Sequence, residues 1–157
     1  MSSLHSQMIC GWRYPPPYHI FNWPSWESMQ NNQTDFGDPH IREQQYASVV
    51  RREGELIGFA QFFPLLGVTR LGLGLRPDLC GQGIGVPFVK HIAEEACRRC
   101  PGDEIDLEVL IWNIRAIRTY EKAGFRISDT YQRNTTNGLA DFHCMVYRGK
   151  PVMNNPC

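Results

Sequence analysis

The stretch LRPDLCGQGIGVPF, residues 75–88, holds three glycines within five positions: Gly81, Gly83 and Gly85. Before them lies VTRLGLGLR (68–76), which reads as a strand. After them comes GIGVPFVKHIAEEACRRC (83–100), where Ile84, Val86, Phe88, Val89, Ile92, Ala93 and Ala96 form one apolar stripe at helical spacing. Pro87 fits the first turn, where its missing N–H costs nothing. Arg98 and Arg99 fall in the last turn, and PGD stops the helix. Glycines between a strand and a helix let backbone N–H groups approach an anion, and the helix N-terminus adds partial positive charge. Glycine serves tight packing equally well. The Rossmann fingerprint needs glycine where Val86 stands, and the P-loop needs Gly-Lys followed by Ser or Thr where this loop ends GVP.

Working outward, QYASVVRRE (45–53) and LIGFAQFFP (56–64) read as a β-hairpin joined through EGE. EIDLEVLIW (104–112) alternates Ile105, Leu107, Val109 and Ile111 with Asp106, Glu108 and Leu110, a strand with one mixed face. NIRAIRTYEKAGF (113–125) reads as a short helix ended by Gly124. FRISDTYQR (125–133) and ADFHCMVYR (140–148) read as strands around the turn NTTNG. The order is hairpin, strand, helix, strand, helix, hairpin. It predicts a mixed α/β chain with antiparallel outer strands and one right-handed crossover. Toward the N-terminus, SSLHSQMICGW reads as helix, PSWESMQ as a short helix with Ser25 near its start, and NNQTDFGDPH as a loop. WRYPPPY (12–18) must be extended and stiff, either as a connector packed on the core or as the wall of a substrate site.

With 157 residues, 42% of them hydrophobic, the chain suits a single domain over 1–157. Sixteen basic residues balance sixteen acidic ones, so no broad positive field argues for nucleic acid or a membrane surface. No apolar run is long enough to span a bilayer, and the first residues do not follow signal-peptide order. A cytoplasmic protein is expected. Of six cysteines, only Cys97 and Cys100 are close, and the histidines do not complete a zinc pattern, so free thiols and no metal are expected.

Downstream of the glycine loop, Asn113, Ala116, Tyr120, Gly124 and Phe125 spell N-x-x-A-x-x-x-Y-x-x-x-G-F after a strand. This pattern resembles the GNAT family of acetyl-CoA-dependent N-acetyltransferases. The loop Cys80-Gly81-Gln82-Gly83-Ile84-Gly85 is similar to that family's pyrophosphate loop, with Cys80 where the family usually has Gln or Arg. The resemblance covers residues 45–148, the expected cofactor-binding core. Residues 1–44 diverge, lack the family's usual first strand and are expected on the acceptor side. The resemblance implies a GNAT-like α/β fold: a mostly antiparallel sheet, a central parallel pair of splayed strands and flanking helices. It also implies transfer of acetyl from acetyl-CoA to a primary amine, on a small molecule or a protein N-terminus or lysine, by direct attack through a tetrahedral intermediate. A non-catalytic CoA-binding sensor on the same fold is the alternative. An unrelated α/β binding module is a more distant one.

Backbone groups at Leu73, Gly74 and Leu75 would then bind the acetyl-pantetheine arm. Cys80, Gly81, Gln82, Gly83, Ile84 and Gly85 would cradle the pyrophosphate. Asn113, Ala116 and Tyr120 would line the cofactor from one helix face. Tyr120 matches the family's proton donor to the departing thiolate, and a phenol of pKa ~10 is protonated at neutral pH. Attack needs a neutral amine, yet amines of pKa ~8 to ~10.4 are mostly protonated at pH 7, so a base helps. Glu108 is the candidate, with Asp106 on its face and His143 on the last strand as substitutes; a solvated or salt-bridged carboxylate is the plainer reading. The acceptor is expected to meet Trp12, Tyr14, Tyr18, Trp23, Trp26 and Phe142, unless these only pack. A homodimer through an edge left open by the absent first strand is also expected.

Overall fold

Side-chain caps start the helices of the N-terminal stretch in the computed structural model, which describes residues 1–149. Helix α1 (Ser3–Cys10) begins at Ser2, whose hydroxyl accepts from the His5 N–H; α2 (Trp26–Asn32) begins likewise at Ser25, which accepts from Ser28. A third helix, α3 (Pro39–Gln45), enters the segment expected to be loop. Asp38 accepts from the N–H groups of His40 and Ile41, and Pro39 occupies the first turn. Asp-Pro here starts a helix rather than a turn.

Contacts divide the chain into two compact units, Met1–Gln61 with Leu73–Gln82, and Phe62–Gly72 with the chain from Gly83 on. In the first, Ile9, Cys10, Met29, Phe36, Tyr46, Leu56 and Phe59 form the core, with Trp12, Trp23 and Trp26 packed against it. Trp23 stands edge-on to Phe36 at 4.7 Å between ring centroids. Strand β1 (Tyr46–Val50) pairs antiparallel with β2 (Leu56–Leu65).

Strand β3 (Val68–Leu75), whose part before Leu73 lies in the second unit, runs parallel to β4 (Glu104–Leu110) from Val68↔Glu104 to Leu71↔Leu107. The ladder ends there, while β3 continues to Leu75 and β4 to Leu110. Helix α4 (Gly85–Arg99) connects them, buries Phe88, Val89, Ile92, Ala93 and Ala96, and lies against β4 and α5 (Ile114–Ala123). Gly124 ends α5 with φ 108°, a conformation that favours glycine. β5 (Phe125–Thr135) and β6 (Gly138–Tyr147) form a hairpin, and β6 also pairs antiparallel with β4. The six-stranded mixed sheet has the order β1-β2-β3-β4-β6-β5. This is the expected mixed α/β class, with one parallel pair at its centre. The first described strand is β1, after three helices. No helix among the described residues is long and apolar enough to cross a membrane.

Candidate active site

The three loop glycines have different reasons to be glycine. Gly81 and Gly83 adopt φ 77° and 80°, and a Cβ on either would meet nothing within 4 Å. Backbone conformation, not crowding, selects them. A Cβ on Gly85, the first residue of α4, would lie 3.2 Å from Thr119 Cγ2 on α5, so this glycine serves helix packing. Gln82 is tied back to the chain, donating from Nε2 to the Asp78 carbonyl at 2.6 Å. The Cys80 thiol turns toward the Leu75 and Arg76 carbonyls at 3.8 and 3.6 Å. Ile84 is half-buried and precedes α4.

Arg76 anchors the run into this loop. Its guanidinium donates to Asp78 at 2.6 Å, to Glu55 at 2.8 Å and to the Leu56 carbonyl at 2.9 Å. It holds both carboxyls below the usual carboxylate range. Among the three backbone positions expected to meet the pantetheine arm, the Leu75 carbonyl already accepts from the Tyr14 hydroxyl at 2.7 Å. Tyr14 is itself placed by its N–H, which donates to Asn22 Oδ1 at 2.8 Å. The proline-rich segment therefore bonds to the end of β3. Leu73 and Gly74 are half-buried. A Cβ on Gly74 would lie 2.4 Å from Phe59 Cε1, so the aromatic core requires this glycine.

On α5, Asn113 is the N-cap, its side chain accepting from the Ala116 N–H at 3.3 Å. Tyr120 lies on the same helix, with its ring 6.2 Å from that of Phe125. Burial pushes the Tyr120 phenol up to about 12, so it holds its proton at neutral pH.

Glu108 sits in a dense charge network. Arg70 bridges β3 and β4, donating to Asp106 at 2.9 and 2.7 Å and to Glu108 Oε1 at 3.0 Å. The Tyr131 hydroxyl also donates to Oε1, and Arg133 pairs with Oε2 at 3.0 Å. Burial and this bond to Glu108 push the Tyr131 phenol up. Asp106 is 5% exposed, and its Oδ2 also accepts from the Cys144 thiol at 3.4 Å. Its oxygens are committed within the structure. His143 stands opposite Val109 in the β4–β6 ladder, on the other face from Glu108, and its Nδ1 meets Thr130 Oγ1 at 2.7 Å.

The aromatic residues separate. Trp12, Trp23 and Trp26 pack on the core; Tyr14 binds Leu75; Phe142 is buried beneath Arg133, whose Cζ lies 4.2 Å from the ring centroid. Tyr18 begins a short 3₁₀ turn.

A model of the "Acetyltransferase (GNAT) family" matches residues 7–125, three quarters of the chain and segments of both units. The chain belongs to the GNAT acetyltransferase family. It is therefore an acyltransferase, and acetyl transfer is its reaction class. Solved GNAT structures share its fold. A chimera of Vibrio cholerae spermidine N-acetyltransferase SpeG and hSSAT superposes with TM-score 0.73 at 16% identity, covering 94% of this chain and 91% of that one. The ribosomal-protein-S18-alanine N-acetyltransferase of Escherichia coli gives 0.62 at 24% identity, covering 99% and 92%. A GNAT-family acetyltransferase of Bacillus anthracis gives 0.61 at 16%, covering 71% and 69%.

Four residues that organise the Glu108 network and the run into the glycine loop escaped the sequence reading: Arg70, Arg76, Tyr131 and Arg133. The Arg70 clamp depends on β3–β4 register, which joins residues 36 and 38 apart in sequence. The signal within reach was Arg76, since Arg-Pro-Asp after a strand places a cation two residues from a carboxylate.

Proposed function

We propose that this acetyltransferase carries acetyl from acetyl-CoA to a primary amine by direct attack. The observation that carries the reading is the left-handed pair Gly81 and Gly83 leading into α4. Space where their Cβ atoms would be leaves room for a pyrophosphate against backbone N–H groups at a helix N-terminus. Cys80, Gln82, Ile84 and Gly85 complete that loop. Backbone groups of Leu73, Gly74 and Leu75 would hold the pantetheine arm, with Asn113, Ala116 and Tyr120 contributing from α5. The ligand supplies a thioester carbonyl open to nucleophiles.

The chain's residues manage protons. Glu108 takes one from the acceptor's ammonium, leaving the amine neutral to attack. The C–N bond forms and the C–S bond breaks. Tyr120 gives its proton to the departing thiolate and is restored by the second proton leaving nitrogen. The acceptor is a small-molecule amine or a protein amine. A cytoplasmic location is part of this reading. β1, an outermost strand of the sheet, is the edge through which a homodimer would pair.

The test is release of CoA thiol from acetyl-CoA, followed with a thiol reagent, across a panel of amines with an amine-free control. Amine-dependent release is expected. Tight acetyl-CoA binding with no release on any amine would overturn the catalytic reading.

A further inference from the structure

The two oxygens of Glu108 face different cations. Oε1 accepts from Arg70 and Tyr131, and Arg70 is fixed by its two bonds to Asp106. Oε2 faces Arg133 at 3.0 Å. The Arg133 side chain is 48% exposed on β5, against 15% for Glu108. Its guanidinium also rests over the buried Phe142 ring, 4.2 Å from the centroid. One carboxylate thus has two cation seats. The inner one belongs to a guanidinium held on both sides. The outer one lies between a carboxylate oxygen and an aromatic face, and its occupant enters from solvent.

A carboxylate paired with a ring face is a general means of holding an ammonium group. Charge points the same way. Arg70 and Arg133 balance Asp106 and Glu108, so when Arg133 swings out, one negative charge in this network is left for a new cation. Partly exposed ion pairs are weak enough to exchange.

We infer that Arg133 stands in for the acceptor: the substrate's ammonium displaces its guanidinium and binds at Oε2 of Glu108 over the Phe142 ring. This rests on the reading of Glu108 as base, since the same oxygen then takes the proton. The acceptor class that fits is an amine protonated in solution, with one compact ammonium entering the seat. Arg133 is then a specificity-setting competitor, not a catalytic residue.

The experiment compares wild type, Arg133→Ala and Arg133→Lys, with an alanine-initiated peptide as acceptor. Removing the competitor should lower the peptide KM about fivefold, which corresponds to about 1 kcal/mol, the upper range for such a pair. The KM for acetyl-CoA should stay unchanged, and Arg133→Lys should return the peptide KM toward wild type. An unchanged or raised peptide KM in Arg133→Ala overturns the inference. A second measurement needs no turnover: ethylammonium is titrated while the Phe142 ring resonances are followed. Binding about fivefold tighter in Arg133→Ala supports the seat; equal affinity overturns it. Tighter ethylammonium binding in a protein that acetylates no amine would remove Glu108 as base and leave the cation seat standing.

Discussion

Glu108→Gln separates the proposed base role of this carboxylate from its structural one. The amide oxygen can take the place of Oε1, where Arg70 and Tyr131 donate. The amide NH₂ then faces Arg133, donor against donor, but that side chain is 48% exposed and can turn to water. Arg70 keeps both bonds to Asp106, at 2.9 and 2.7 Å. The structural loss is one partly exposed pair, ~0–1 kcal/mol, and the charge assistance in one bond to Arg70, roughly another 1 kcal/mol. Together these amount to ~1–2 kcal/mol, or about 2–8 °C in Tm for a chain of this size. Losing a general base lowers kcat by about 10²- to 10⁴-fold. The assay is kcat with a working amine, thermal melting on the same preparation, and acetyl-CoA affinity by calorimetry. A kcat within fivefold of wild type would refute the base role. A collapse of acetyl-CoA affinity alongside kcat would refute the separation of roles.

Three further outcomes are expected. Tyr14→Phe removes the hydroxyl that holds the Leu75 carbonyl at 2.7 Å; a bond worth ~0.5–1.5 kcal/mol should weaken acetyl-CoA binding about two- to tenfold with kcat little changed, measured as KM against kcat. Gly74→Ala forces a Cβ against the Phe59 ring and should cost ~1–3 kcal/mol in denaturant melts; a variant as stable as wild type would contradict that packing. Tyr120 has its neutral form favoured in the fold. Its stabilising contribution is whole below the ordinary phenol value near ~10 and lost as pH rises through about 12. The phenolate absorbance difference between wild type and Tyr120→Phe should titrate near 12, and a step near ~10 would contradict its burial.

Local chemistry made much of this legible from sequence. The α4 stripe, the Gly124 stop and the alternation of β4 each lie within one element, where period and cap are local signals. Asp38-Pro39 misled because the same dipeptide starts turns and helices; the bonds from His40 and Ile41 decide it. For Gly74 the resemblance implies a backbone contact to the pantetheine arm; its packing against Phe59 is a separate, non-local reason for glycine that no sequence pattern carries. The tryptophans were ambiguous because large aromatic residues suit both a core and a binding wall, and only packing separates the two. The donors around Glu108 come from two other strands, β3 and β5, so register decides it.

The most direct test of the central claim is calorimetric titration of wild type and Gly83→Val with acetyl-CoA and with free CoA. If the loop of residues 80–85 grips the pyrophosphate, wild type binds both ligands with similar affinity, because the acetyl group adds little to that grip. Gly83→Val, forced into a left-handed backbone that β-branched residues resist, should stay folded by circular dichroism and lose binding. No heat with wild type, or equal affinity in a folded Gly83→Val, would contradict the assignment of this loop.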